Sequence, residues 1–488
     1  MIWIILAIFA IWGIILYVAK KKGKKYGLDI YGPLLMLKTE KGKKLIEKIS
    51  RKKLWKHYGN VSIIICIIAM LFATYLIFRS LIISFKISPP QAPSPRLMIG
   101  LPGINPIIPI GYGILALAVA IIVHEFSHGI MARYGKIKVN ALGLLFLIFP
   151  IGAFVEPDEK ELKKANIKKR SKIFAAGPAS NIILAIICIF IISFIFAPAI
   201  KPRTDGAILT HDVYNLERWS IIDKIDGKDI ESINDVKLVV GKFYNITLFY
   251  NGKETEKRIF YGLYVLNIFD GSPAEENGIK KGSIIYKIDG VIANKQNFSS
   301  FMNSTKAGDE VKIYLYYNGR FINKSIILAN KYNFTGEEKG KGFLGVEVGE
   351  INDFLINTDY FQNLMNPLKT NFFLFLSLPF TGFSPLPKEI ANMYTPSHTF
   401  WILYNSLYWI FWLNFAVGTF NALPSIPLDG GYIFKDIISY SIPKLNKRIR
   451  KERIEKISSS ISTLISIIIL LSIFSIIIIP RLRFFISS

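Results

Sequence analysis

The residues with the clearest chemical potential are His124, Glu125 and His128, set in the run Ile121-Ile122-Val123-His124-Glu125-Phe126-Ser127-His128-Gly129. Positions i and i+4 of a helix share a face. Both imidazoles can therefore grip one Zn²⁺, with Glu125 placed to act on a metal-bound water. The flanks Ile110–Val123 and Ile130–Ala132 are almost wholly apolar, so the motif lies in what reads as a membrane helix. Ionisable groups at that depth are costly and mark functional sites. The other reading is a satisfied structural histidine. The chain holds only five histidines in 488 residues, and two of them flank a glutamate at helical spacing, which favours the metal.

Two histidines do not complete a catalytic zinc site, which usually has three protein ligands. Tyr134 stands where an extended motif would carry a third histidine. The best remote candidate is Asp429, in Asn421-Ala422-Leu423-Pro424-Ser425-Ile426-Pro427-Leu428-Asp429-Gly430-Gly431. Pro424 and Pro427 break the helix, and the two glycines permit a tight turn. The alternative for Asp429 is a turn residue capping the next helix, since Asp-Gly is a common turn dipeptide.

The elements that must hold these residues are membrane spans. The composition is 51% hydrophobic with mean hydropathy +0.37, above a soluble globular protein. Six stretches approach or reach spanning length, about 20 residues: 1–19, 61–78, 110–132, 174–199, 399–423 and 461–479. The first has no basic leader and no cleavage site, so it reads as a retained span. The net charge is +25, and segments 20–56, 133–172 and 435–456 together account for +22 of it. All three abut spans. That is the signature of cytoplasmic loops and lipid-headgroup contact, and it argues against a nucleic-acid partner. Both termini are then outside, and the histidines sit roughly 7–14 Å from the cytoplasmic end of their helix. Cys66 and Cys188 read as small apolar fillers.

Residues 141–155 are too short to span comfortably and contain Gly143, Pro150 and Gly152. A hairpin or re-entrant loop lining the site is expected. Residues 371–386, interrupted by Pro379, Gly382 and Pro385, read as a re-entrant or surface-lying segment. Residues 203–350 are polar with alternating strand patterns. Within them Ser220–Gly227 recurs 63 residues later as Ser283–Gly290, which predicts two related small domains in tandem. Five Asn-X-Ser/Thr sequons at Asn245, Asn297, Asn303, Asn323 and Asn333 agree with an extracytoplasmic location.

The expected fold class is thus a polytopic α-helical membrane protein of about six transmembrane helices, with an inserted β-rich α+β region outside the cytoplasm. Its parts are 1–109 (N-terminal helices and basic loop), 110–200 (first half of the core), 203–350 (tandem small domains), 371–440 (re-entrant segment and second half of the core) and 441–488 (basic loop and last helix).

His124-Glu125-Phe126-Ser127-His128, then Gly177-Pro178-Ala179-Ser180-Asn181, then Asn421 through Gly431 resemble, in order and membrane setting, the site-2 protease family of intramembrane zinc metalloproteases. The segment Gly271-Ser272-Pro273-Ala274-Glu275 through Gly290 resembles a PDZ domain, with Tyr261-Gly262-Leu263-Tyr264 as the expected carboxylate-binding loop, so Gly262 and Leu263 are candidate peptide-binding residues. Gly342-Phe343-Leu344-Gly345-Val346 fits either domain. The resemblance implies one Zn²⁺ held by His124, His128 and Asp429, with Glu125 as the proton-transferring base. It also implies Asn421 as an oxyanion donor and Asn181 as an auxiliary residue whose alternative is a polar contact between helices. The implied activity is hydrolysis of peptide bonds within or near transmembrane segments of single-span membrane proteins, that is, regulated intramembrane proteolysis. The PDZ-like domains would bind peptide or ectodomain tails. Two rival classes stand beside it: an inactive membrane scaffold using those domains, and a metal transporter, which needs ionisable groups stacked along several spans rather than at one level.

Overall fold

The computed structural model describes residues 2–39, 41–147, 149–445 and 448–486. The chain divides into two compact units, one of residues 1–192 and 402–488, the other of residues 193–401.

The first unit opens with α1 (Ile2–Lys22), which ends on three lysines, where positive charge offsets the partial negative charge of a helix C-terminus. Strands β1 (Leu28–Tyr31) and β2 (Leu34–Thr39) follow, then the short basic helix α2 (Lys41–Ser50) and the long apolar α3 (Leu54–Ser84). Helix α4 (Ile110–Tyr134) carries the histidine motif and stops at Gly135. Strands β3 (Val139–Leu147) and β4 (Phe149–Pro157) pair as an antiparallel hairpin. Helix α5 (Glu159–Lys164) is capped by Asp158, and α6 (Ile167–Ile191) by Asn166; each cap side chain accepts a backbone N–H of the first turn.

The expected hairpin at 141–155 does not stand alone. Strand β2 pairs with β3, from Leu35↔Phe146 to Thr39↔Leu142, making a four-stranded sheet in the order β1-β2-β3-β4. Part of segment 20–56, read from its charge as a plain loop, is therefore structured. Its strands, four and six residues long, are too short to stand out beside fourteen basic residues.

The second unit contains β5 (Ala207–Leu209), β6 (Ile221–Ile225), β7 (Lys228–Asp229), β8 (Phe243–Tyr250) and β9 (Lys253–Phe260). Next come β10 (Leu263–Ile268), α7 (Pro273–Glu276), β11 (Ile284–Ile288), β12 (Val291–Ile292) and α8 (Lys295–Ser304). Then follow β13 (Glu310–Tyr317), β14 (Arg320–Ile327), β15 (Ala329–Asn330), α9 (Tyr332–Thr335), β16 (Gly342–Phe343), β17 (Val346–Gly349) and β18 (Leu355–Asn357). Two sheets of like topology form, β18-β5-β6-β8-β9 and β17-β10-β11-β13-β14. The repeated octapeptides supply the equivalent strands β6 and β11. The domains are nested, not tandem: the second is complete between β9 and β18, and β18 then returns to pair with β5. The expected boundary at 350 consequently falls short of the first domain's last strand. Each sheet has its own apolar core, one around Ile222, Ile246 and Leu248, the other around Val265, Ile285 and Ile313.

Residues 371–386 form no span. Helices α10 (Tyr360–Leu364), α11 (Phe372–Ser377) and α12 (Lys388–Ala391) are each six residues or fewer, and bury Phe361, Phe375 and Ile390. The chain then forms α13 (His398–Asn421), α14 (Asp429–Leu445) and α15 (Lys451–Ile486). Among the described residues five helices are long and apolar enough to cross a membrane: 54–84, 110–134, 167–199, 398–421 and 451–482. The sixth expected span, 1–19, falls on α1, which is helical but not among those five.

Within the first unit, small residues let helices approach closely. Ala175, Ala176, Gly177 and Ala179 of α6 are all buried. Ala175 joins Cys66, Ala69 and Met70 of α3 and Ile433 of α14 in one cluster, so Cys66 is the apolar filler expected of it.

Candidate metal centre

Helix α4 places His124 and His128 one turn apart, with ring centroids 4.7 Å from each other and Nε2 atoms 3.1 Å apart. Asp429, the first residue of α14, brings its Oδ2 within 3.1 Å of His124 Nε2 and 3.2 Å of His128 Nε2. The short segment between α13 and α14 that delivers it is held on both sides. The Ile426 N–H donates to Ser466 Oγ of α15 at 2.8 Å. Gly430 packs so closely that a Cβ there would lie 2.0 Å from the Ala422 carbonyl oxygen. The Ile426–Pro427 bond is cis.

Hydrogen bonds fix what the two rings present to each other. Asn181 donates through Nδ2 to Ala120 O at 3.0 Å and to Asn414 Oδ1 at 2.9 Å. These two donated bonds fix which end of the amide faces His124, and Asn181 Oδ1 accepts the Nδ1–H of His124 at 2.9 Å. The Ile173 carbonyl likewise accepts from His128 Nδ1 at 2.7 Å. In its neutral form each imidazole held this way turns an Nε2 lone pair inward, and a carboxylate oxygen meets both rings. Three such acceptors converging at 3.1–3.2 Å, largely out of water, repel unless a proton or a metal ion lies among them. Four ligands at zinc bond lengths would stand about 3.3 Å apart, close to this triangle. The donor set fits Zn²⁺: two imidazoles and one carboxylate, with a fourth position left for water.

Gly177 of α6 faces the same point. A Cβ on it would stand 2.3 Å from His128 Nε2 and 2.6 Å from His124 Nε2. Glu125, next to His124, accepts the Val155 N–H at 2.9 Å, which ties it to β4. That strand is at one end of its sheet.

A match to the model of peptidase family M50 runs over residues 112–469. The chain belongs to this family, that of the site-2 proteases. The M50 chain is 26% identical over 467 residues to an uncharacterized protein of Methanocaldococcus jannaschii, covering 95% of this chain and 91% of that one. It is 23% identical over 389 residues to a protein of Borreliella burgdorferi named as a zinc metalloprotease, covering 67% and 89% respectively. Among solved structures it resembles the PDZ domain of an SdrC-like protein from Listeria monocytogenes, at 28% identity, 19% of this chain, 92% of that one and a TM-score of 0.16.

Of the residues singled out in the sequence, the structure gathers His124, His128, Asp429 and, behind His124, Asn181; Glu125 adjoins them. Asn421 is different. Its Nδ2 donates to Val417 O of its own helix at 3.1 Å, and no hydrogen bond links it to the three ligands among the described residues. Gly262 and Leu263 are misplaced as a peptide site. Leu263 is fully buried, the Gly262 carbonyl accepts Tyr214 Oη–H at 2.6 Å, and β10 is paired on both sides. The end strand of that sheet is β17, entered through Phe343-Leu344-Gly345, so the Gly342–Val346 segment belongs to the second domain. Two further residues escaped sequence reading. Asn414 lies seven residues before Asn421, where an isolated amide in a span gives a weak signal. Asp436 lies two helical turns past Asp429 and was read only as part of a basic segment.

Proposed function

We propose that this M50 metalloprotease is an intramembrane zinc endopeptidase that cuts single-span membrane proteins within or near their transmembrane segments, as part of regulated intramembrane proteolysis. The observation that carries the reading is the convergence of Asp429 Oδ2 on the two Nε2 atoms of α4, a helix apolar enough to cross a membrane.

His124, His128 and Asp429 would hold one zinc ion. When bound, zinc lowers the pKa of a coordinated water toward neutrality and polarises a carbonyl. The protein's own groups do the rest. Asn181 and the Ile173 carbonyl fix both ring tautomers and orientations. Glu125 accepts the water's proton and passes it to the departing amine nitrogen. Asn421 would serve as oxyanion donor only by exchanging its bond to Val417 O for one to the substrate.

A peptide bond in a helix is shielded by its own hydrogen bonds, so the substrate must be opened before attack. The outer edge of β4 offers a template for an extended strand. Because Glu125 is hydrogen-bonded to that strand at Val155, strand addition and the base lie side by side. We place the active site nearer the cytoplasmic face, from which water reaches it, and the nested PDZ-like domains outside. There they bind peptide tails or turn away substrates with large ectodomains.

The test is incubation of wild type and Glu125→Gln with a panel of single-span substrates in liposomes, with cuts mapped by mass spectrometry. Cleavage in or beside the span that depends on Glu125 supports the proposal. Zinc flux surviving the substitution would mean a transporter, and absence of both activities would mean a scaffold.

A further inference from the structure

Helices α6 and α14 meet along a ladder of three rungs. At one end the Asp436 carboxylate accepts from Arg170: Nε lies 3.1 Å from each carboxylate oxygen, and a terminal guanidinium nitrogen bonds Oδ1. Ser171 Oγ adds a bond to Oδ2 at 3.2 Å. The middle rung is Phe174 stacked on Tyr432, centroids 4.7 Å apart and planes 13° from parallel. At the other end stand Gly177, against the two Nε2 atoms, and Asp429, the third ligand.

The spacing is the argument. From Arg170 to Gly177 is seven residues forward along α6, and from Asp436 to Asp429 is seven residues back along α14. Seven residues are two helical turns, about 10 Å, and return to the same face. The ion pair therefore sits on the face that meets the site, on two antiparallel helices, one of which supplies the third ligand while the other supplies the glycine floor. Asp436 is only 1% exposed. The Arg170 side chain is 23% exposed, so the pair is largely but not wholly buried; such a pair is a poor source of stability compared with apolar packing of the same size, and its best-attested use is to fix register. A guanidinium fork on a carboxylate is directional and does not tolerate sliding. The stacked rings between the rungs would tolerate it.

We infer that the Arg170–Asp436 pair sets the height of α14 against α6, and thereby holds Asp429 Oδ2 level with His124 and His128. Arg170 and Asp436 are positioning residues: they touch neither the metal nor the substrate. The inference rests on the proposed zinc site, and it assigns to the second half of the core a register lock separate from its ligand.

The test uses the full chain in detergent, with zinc affinity measured by chelator competition and coordination read from the visible spectrum of the Co²⁺-substituted protein. The variants are Asp436→Asn, Arg170→Lys and the double change Arg170→Met with Asp436→Leu, whose apolar pair keeps the helices packed if the single changes fail to fold. The expected result is at least a tenfold loss of zinc affinity in Asp436→Asn and in the double variant, an altered Co²⁺ spectrum, and a smaller loss in Arg170→Lys. A double variant that folds and keeps wild-type affinity and spectrum would overturn the inference while leaving the zinc site intact. Failure of the wild type itself to bind zinc would overturn the proposed function, and the register role with it.

Discussion

Gly177 and His128 stand so close that no β-carbon fits between them: one built on Gly177 would lie 2.3 Å from His128 Nε2. The glycine keeps open the space into which both imidazoles point. Alanine is a better helix former than glycine by about 1 kcal/mol, so Gly177→Ala should leave α6 intact while filling that space. We expect a folded protein with zinc content near zero and cleavage at background. A Gly177→Ala variant that retains a full equivalent of zinc would show that the metal lies elsewhere.

Asn181 orients His124 from behind, and loss of such an outer partner typically costs 10–100-fold in metal affinity or activity. Asn181→Ala should fall in that range by chelator competition. Asn414→Ala should cost less, because it leaves the His124–Asn181 bond in place and removes only the acceptor that holds the Asn181 amide. Equal, wild-type affinities in both variants would reduce the chain of amides to an ordinary contact between helices.

The Val155 N–H points at Glu125 rather than along the ladder to β3. Proline lacks that hydrogen and is tolerated on sheet edges. Val155→Pro should therefore free Glu125 without displacing the metal, lowering kcat by about tenfold or more through misplacement of the base. Zinc content should stay at the wild-type level. A kcat unchanged within twofold would separate the base from the strand.

The nesting of the two small domains is open to a truncation test. Residues 203–350 omit Ile351, Phe354 and Leu355, all buried in the first domain's core. Burial of each such side chain is worth about 1.5–3 kcal/mol. The fragment 203–350 should unfold at markedly lower denaturant than 203–360, with protection from hydrogen exchange lost first in β5, the partner of β18. Equal stability of the two fragments would favour independent tandem domains.

Much of the chemistry was readable from the chain because it is local. Histidines four apart around a glutamate fix a face, and two prolines before an Asp-Gly-Gly mark where one helix breaks and the next begins. The octapeptide repeat likewise revealed equivalent strands. What escaped was relational. The pairing of β2 with β3 joins segments more than a hundred residues apart and leaves no periodic trace in either. The nesting depends on which strand closes which sheet, and β18 is only three residues long. Gly262 and Leu263 matched a loop pattern whose edge is already occupied, a fact about β17 rather than about their own neighbourhood. Asp436 was hidden by its sequence neighbours: a buried acid among basic residues reads as one more surface charge until Arg170 is seen opposite it.

The most direct measurement is zinc K-edge X-ray absorption on the purified full-length protein, beside Asp429→Ala. The account predicts one zinc per chain with nitrogen and oxygen neighbours only, at about 2.0–2.1 Å, including two imidazoles. In Asp429→Ala zinc should be lost, or one oxygen neighbour should be exchanged for solvent with weaker binding. Sulfur in the first shell, a single imidazole, or an unchanged spectrum and affinity in Asp429→Ala would contradict it.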